Sequence, residues 1–214
     1  MRSADTYQTI AAPSTGEFRD RGSKFFAYAF PVKNESDWQT ALEAVRNEHP
    51  KARHFCYAFR LGTDGNNFRA NDDGEPSGTA GKPILGQIDS FEIIDVFIVV
   101  VRYFGGTLLG ASGLINAYRA GARASLESAR IIEQLETRTL RLTFTYARMP
   151  AVMNAVKKLN LEVERQVLEE TGTLFIALPK SAAEEMLPVL KSEISGLYLE
   201  QLPKKLEGLS FELD

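Results

Sequence analysis

Cysteine is nearly absent: Cys56 is the one thiol among 214 residues. A single thiol excludes an internal disulfide framework and leaves too few thiolates for a cysteine-based structural zinc site, so a reducing compartment fits. Long hydrophobic runs are also missing. No window approaches the roughly 20 apolar residues that a spanning helix needs, and the start Met1-Arg2-Ser3-Ala4-Asp5 lacks the apolar stretch of a signal peptide. A cytoplasmic location without membrane contact is therefore expected. Nor is there an excess of positive charge. With 25 Lys and Arg against 28 Asp and Glu, the formal net charge is −3, so the body as a whole does not attract phosphate. Any contact with nucleic acid has to come from a local patch. What remains is the composition of an ordinary folded chain, 44% hydrophobic and 25% charged, long enough for one large or two small domains.

The pattern along the chain predicts an α+β protein in two parts. Residues 17–32 read as strand around Phe25, Phe26, Tyr28 and Phe30. Asn34-Glu35-Ser36 supplies capping chemistry for a helix over 37–48, whose Trp38, Leu42 and Val45 share one face and which Pro50 ends. Residues 54–60 alternate as a strand and form a hairpin with a short strand near Phe68. Its Phe55, Tyr57 and Phe59 point one way, onto helices. His54, Cys56, Ala58 and Arg60 point the other way, on a face that reads as too polar for plain core. The run from Ile93 to Val101 is β-favouring throughout, as a central strand covered on both sides would be. Leu114, Tyr118, Ala122, Leu126 and Ala129 then form the apolar stripe of a long helix, with Arg119, Arg123 and Glu127 on a solvated face. Elsewhere the basic residues form no dominant patch. From about residue 135 a second unit begins, with strand, helix, two strands, helix and a last strand at 197–202. This βαββαβ order is the ferredoxin-like split motif. The expected domains are 1–134 and 135–214.

Two loops carry the unusual chemistry. The first is Asn71-Asp72-Asp73-Gly74-Glu75-Pro76-Ser77-Gly78-Thr79-Ala80-Gly81-Lys82-Pro83, ahead of a probable helix through Ile84, Leu85 and Ile88. Ser77 or Thr79 can cap that helix. The free N–H groups of Gly78, Thr79, Ala80 and Gly81 would attract an anion, with Lys82 adding charge. The segment is not a nucleotide-binding P-loop, because proline stands at 76 and at 83 where that motif needs glycine and Ser or Thr. Asp72, Asp73 and Glu75 also lack the spacing of a calcium loop. The second loop, Arg102-Tyr103-Phe104-Gly105-Gly106-Thr107-Leu108-Leu109-Gly110, joins the buried strand to the long helix. Its aromatics and glycines imply close backbone approach to another group. It does not fit the dinucleotide fingerprint G-x-G-x-x-G. His54 and Cys56, about 7 Å apart along one strand face, are too distant to act as nucleophile and base. Residues 53–59 faintly echo an RNA-recognition strand, although His54 replaces its glycine.

Three blocks together resemble the IMPACT family in its bacterial YigZ-type form. They are Ala52-Arg53-His54-Phe55-Cys56-Tyr57-Ala58-Phe59, then Asp72 through Leu85, and Val99-Val100-Val101-Arg102-Tyr103-Phe104-Gly105-Gly106 through Gly110. The resemblance implies a first domain similar to the second domain of a small-subunit ribosomal protein and a second domain similar to the last domain of elongation factor G. It also implies a link to translation, since eukaryotic relatives resemble regulators that compete for the activator of the amino-acid-starvation kinase. Where relatives carry Lys after the Gly-Gly turn and Arg before the Ala-Tyr pair, this chain has Leu108 and Asn116. Loss of two cations there weakens attraction for phosphate.

The functional expectation is a regulator without enzymatic activity, needing no cofactor or metal, that binds RNA, the ribosome or a translation-related protein. His54, Asp72, Asp73, Glu75, residues 77–82, Arg102, Tyr103, Phe104, Gly105, Gly106 and Gly110 are its expected binding residues. The alternative is a hydrolase using His54 with the carboxylates of Asp72, Asp73 and Glu75. In the fold that the resemblance implies, Arg102 faces the acidic loop and is expected to hold it internally, leaving ligand contact to the backbone N–H groups of residues 78–81.

Overall fold

The computed structural model describes residues 5–214. Residues 1–4, which belong to the segment expected to lack a signal peptide, lie outside the described residues. The chain divides into two compact units. One is Tyr7–Gln134; the other is Leu135–Asp214 together with Asp5 and Thr6. The sequence pattern places Asp5 and Thr6 with the first part. Asp5 instead accepts a hydrogen bond from the Ser181 N–H at 2.9 Å, which ties it to the second unit. Among the described residues no helix is long and apolar enough to cross a membrane.

In chain order the first unit contains β1 (Thr6–Ile10), β2 (Ser14–Asp20), β3 (Ser23–Pro31), α1 (Glu35–Glu48), β4 (His54–Leu61), β5 (Asn67–Asn71), α2 (Gly81–Ser90), β6 (Val96–Tyr103), α3 (Gly110–Glu127) and β7 (Ile131–Leu135). Five strands form an antiparallel sheet in the order β2-β3-β6-β4-β5, while β1 and β7 pair separately. Because side chains alternate across a strand, β6 feeds two cores. Val96, Ile98 and Val100 pack with α2 and α3. Phe97, Val99 and Val101 pack with Trp38, Leu42 and Val45 of α1. The central strand is thus buried on both faces, as its continuous apolar run requires. The N-terminus of α1 is closed by Asn34, whose side chain accepts from the Asp37 N–H at 3.1 Å.

One face of β4 departs from expectation. Cys56 and Ala58 are fully buried in the apolar core beneath α2 and α3. Only His54 and Arg60, at the strand ends, reach partial exposure. Two small residues between polar ends make an ordinary core strip.

The second unit contains β8 (Thr137–Phe144), α4 (Met149–Lys158), β9 (Glu162–Leu168), β10 (Gly172–Pro179), α5 (Ala183–Ser195) and β11 (Leu209–Leu213). Its strands lie in the order β11-β8-β10-β9, all antiparallel, so the βαββαβ connectivity is present. Its last strand is not where the sequence suggests. Leu199–Gln201 forms a 3-10 turn, and β11 pairs along β8 instead. The segment at 197–199 is apolar but solvent-facing, with Tyr198 78% exposed, and hydrophobicity without a partner edge does not make a strand.

Candidate binding site at the end of the first sheet

The acidic loop between β5 and α2 is held by its own carboxylates. Asp72 Oδ1 accepts from the N–H groups of Ala80 and Gly81, each at 2.9 Å, and Oδ2 accepts from Gly78 N–H at 2.8 Å. Asp72 therefore caps α2 from outside the helix. Burial would raise its carboxyl pKa, but the three amides and Lys82 outweigh that and hold it below the usual value. Neither expected cap is used. Thr79 Oγ1 donates to the Pro76 carbonyl at 2.6 Å, Ser77 is exposed, and Ala80 occupies the cap position. The amides expected to meet an incoming anion already have one, supplied by the chain.

Asp73 and Glu75 are equally committed. Asp73 Oδ2 accepts from the Phe55 N–H at 2.7 Å, and its backbone carbonyl meets His54 Nδ1 at 3.0 Å. A carbonyl only accepts, so Nδ1 carries the proton. Glu75 Oε1 accepts from Arg102 Nη1 at 2.6 Å and from the Tyr118 hydroxyl at 2.8 Å. The Arg102 and Glu75 side chains are 7% and 4% exposed. Burial, with Cys56 and Glu75 beside it, pushes the Tyr118 phenol far up, so it stays a donor. Arg102 thus faces the acidic loop and braces it, joining β6, α3 and the loop in one polar cluster. His54 meets a backbone carbonyl at Nδ1, and each of the three carboxylates receives the chain's own donors. Among the described residues no three His, Cys, Asp or Glu side chains converge in a manner that suits a metal ion.

The second loop turns at Gly105. A methyl group there would collide with the backbone of Gly22 and Ser23, and Gly105 N–H donates to Ser23 Oγ at 3.1 Å. Gly81 is similar: an added methyl would stand 2.5 Å from Asn71 N. The close approach implied by these two glycines is made to the protein's own strands. Gly106 and Gly110 adopt positive φ, which lets the loop reverse into α3. Phe104, at the tip, is 57% exposed, and Leu108 is 82% exposed.

Sheet register then gathers charge. His54 lies opposite Arg102, and Lys24 opposite Tyr103, at one end of the sheet. There Lys51, Arg53, His54, Arg102, Tyr103 and Phe104 line a cleft of about 280 Å³. A second cleft of about 400 Å³ is lined by Gly22, Lys24, Phe26, His49, Tyr103 and Phe104. A few basic residues meet locally here, because β4 and β6 bring residues some fifty positions apart side by side. His54, Arg102, Tyr103 and Phe104, all identified from sequence, meet here; residues 77–82 do not line either cleft. Lys24, Phe26, His49, Lys51 and Arg53 also line these clefts, and sequence reasoning does not single them out. Arg53 directly precedes the strand and Lys51 stands two positions before Arg53.

Comparison with known proteins is consistent along the chain. Residues 21–126 match the Impact N-terminal domain. The chain is 31% identical over 182 residues to an IMPACT family member from Haemophilus influenzae, covering 84% of this chain and 88% of that one. It is 41% identical over 118 residues to the IMPACT family member YigZ of Escherichia coli, covering 54% and 58%. Among solved structures, one described as a hypothetical protein superposes with a TM-score of 0.73 at 26% identity, over 98% of this chain and 97% of the other.

Proposed function

The chain belongs to the IMPACT family, and from that premise we propose that it is a non-enzymatic regulator linked to translation. It binds an RNA-containing partner such as the ribosome through the surface around residues 102–110, with loop 72–82 acting behind it as an internal brace. We read the first unit as similar to the second domain of a small-subunit ribosomal protein and the second unit as similar to the last domain of elongation factor G.

The observation that carries the proposal is the position of Phe104. A large aromatic ring left 57% exposed at the tip of a loop, next to Lys51 and Arg53, has no role in the core. It suits contact with a flat, anionic partner. Leu108 and Asn116 remove cations that relatives place nearby, so in this chain the attraction falls to Lys51 and Arg53. Co-sedimentation of the purified protein with ribosomes at low salt tests the reading. Wild type is expected in the ribosomal pellet, and its release should follow rising salt. Failure to pellet at low salt overturns it.

A further inference from the structure

The two clefts share one wall: Tyr103 and Phe104 line both. On one side of that wall stand Lys51, Arg53, His54 and Arg102, with no carboxylate among the lining residues. On the other side Lys24, Phe26 and His49 make a more apolar hollow, with Phe26 and His49 stacked at 5.5 Å between ring centres. Arg102 forms the floor of the basic cleft, with its guanidinium 5.7 and 5.6 Å from the ring centres of Phe25 and Phe104. Its side chain is 7% exposed and lines the basic cleft, Glu75 takes Nη1, and Nε is buried with no hydrogen-bond partner. Glu75 offsets the charge of Arg102, so the open field comes from Lys51 and Arg53, both exposed.

An exposed ring with Lys51 and Arg53 on one side, and Lys24 beside aromatic rings on the other, suits the phosphates and bases of a nucleic-acid strand. Bases of a duplex are paired and stacked, so their flat faces are closed to Phe104. Both clefts open to solvent on either side of Tyr103 and Phe104, which suits a strand passing across them better than an enclosed mononucleotide. We propose that the paired clefts bind single-stranded RNA, with backbone phosphates at Lys51 and Arg53 and a base stacked on Phe104. The choice of RNA rests on the translational reading above, which this inference deepens.

Fluorescence anisotropy of a labelled ten-nucleotide single-stranded RNA with the full chain tests it. Phe104→Ala should weaken binding about ten- to a hundred-fold, the range for removal of one stacked base. The double variant Lys51→Ala with Arg53→Ala should flatten the salt dependence by roughly 0.7 for each phosphate no longer neutralised. All three side chains are exposed, so the variants should keep the wild-type circular dichroism spectrum. An RNA duplex and adenosine monophosphate should compete poorly. The proposal is overturned if the single strand does not bind at low salt, if both variants bind as wild type does, or if duplex or monophosphate competes as well as the strand. Should the oligonucleotide bind as described while ribosomes fail to pellet, the translational reading falls and the site stands. Should ribosomes pellet equally with every variant while no oligonucleotide binds, the site falls and the translational reading stands.

Discussion

At the scale of single residues, the first unit depends on how three carboxylates are used. Glu75 neutralises Arg102 where both are almost wholly buried. Removing one member leaves the other charge uncompensated, so Glu75→Ala or Arg102→Ala should cost about 3–5 kcal/mol in urea unfolding. A change below about 1 kcal/mol would show that the pair is not a brace. Asp72 makes a different contribution, as a helix cap, and Asp72→Asn, which removes the charge and one of the two acceptor oxygens, should cost about 1 kcal/mol. Its pH dependence has a definite sign. A carboxyl held below its ordinary value adds stability that is complete above the unfolded pKa of about 3.9 and is lost as pH falls through the lower folded value. The gap between wild type and Asp72→Asn should therefore narrow only in that acidic window; a gap that instead closed between about pH 5 and 7 would mean another group is responsible. The internal role of Arg102 was legible through the family resemblance, because the fold it implies brings the loop after β6 to the acidic turn. The cap by Asp72 was not. Sequence rules look for caps next to the helix, whereas this one reaches α2 from eight and nine residues upstream through a folded loop.

At the scale of elements, the loop after β6 depends on Gly105 lying against the turn between β2 and β3. Gly105→Ala forces backbone against backbone and should lower stability by about 1–3 kcal/mol, the usual range for overpacking. The Cβ at Gly106 would meet open space, but φ there is +88°, so Gly106→Ala should also destabilise, by strain of about 1 kcal/mol. Thermal melts give the two stabilities; only the first substitution should also alter the anisotropy of RNA bound beside Phe104. Elements with their own periodicity were readable: α1, α3, β4 and β6 each carry a burial pattern that matches one or two faces. β11 was not, although Leu209, Phe211 and Leu213 alternate, because the apolar residues at 197–202 looked stronger. What distinguishes the two segments is an edge to pair with, and β8 offers its edge only once the sheet has formed. The clefts were hidden for the same reason, since they are products of register between β3, β4 and β6.

At the scale of the whole molecule, the two units have separate hydrophobic cores. Leu142 is fully buried in the core of the second unit and Ile98 in that of the first. Truncation of either to alanine should cost about 2–5 kcal/mol. If each unit unfolds as its own cooperative body, hydrogen exchange should quicken only within the unit that carries the substitution. Quickening in both units by either substitution would mean one cooperative body. Cys56 gives this question a chemical readout. Burial, opposed only in part by Tyr118 and reinforced by the neighbouring carboxylates, drives its pKa far up, so the native thiol is both covered and protonated. Alkylating reagents react with thiolate, and this one becomes available only when the sheet parts from α2 and α3. As the sole sulfhydryl of the chain, it makes the rate of iodoacetamide labelling a clock for opening of the first unit alone. Ile98→Ala should run that clock faster, and Leu142→Ala should leave its rate unchanged.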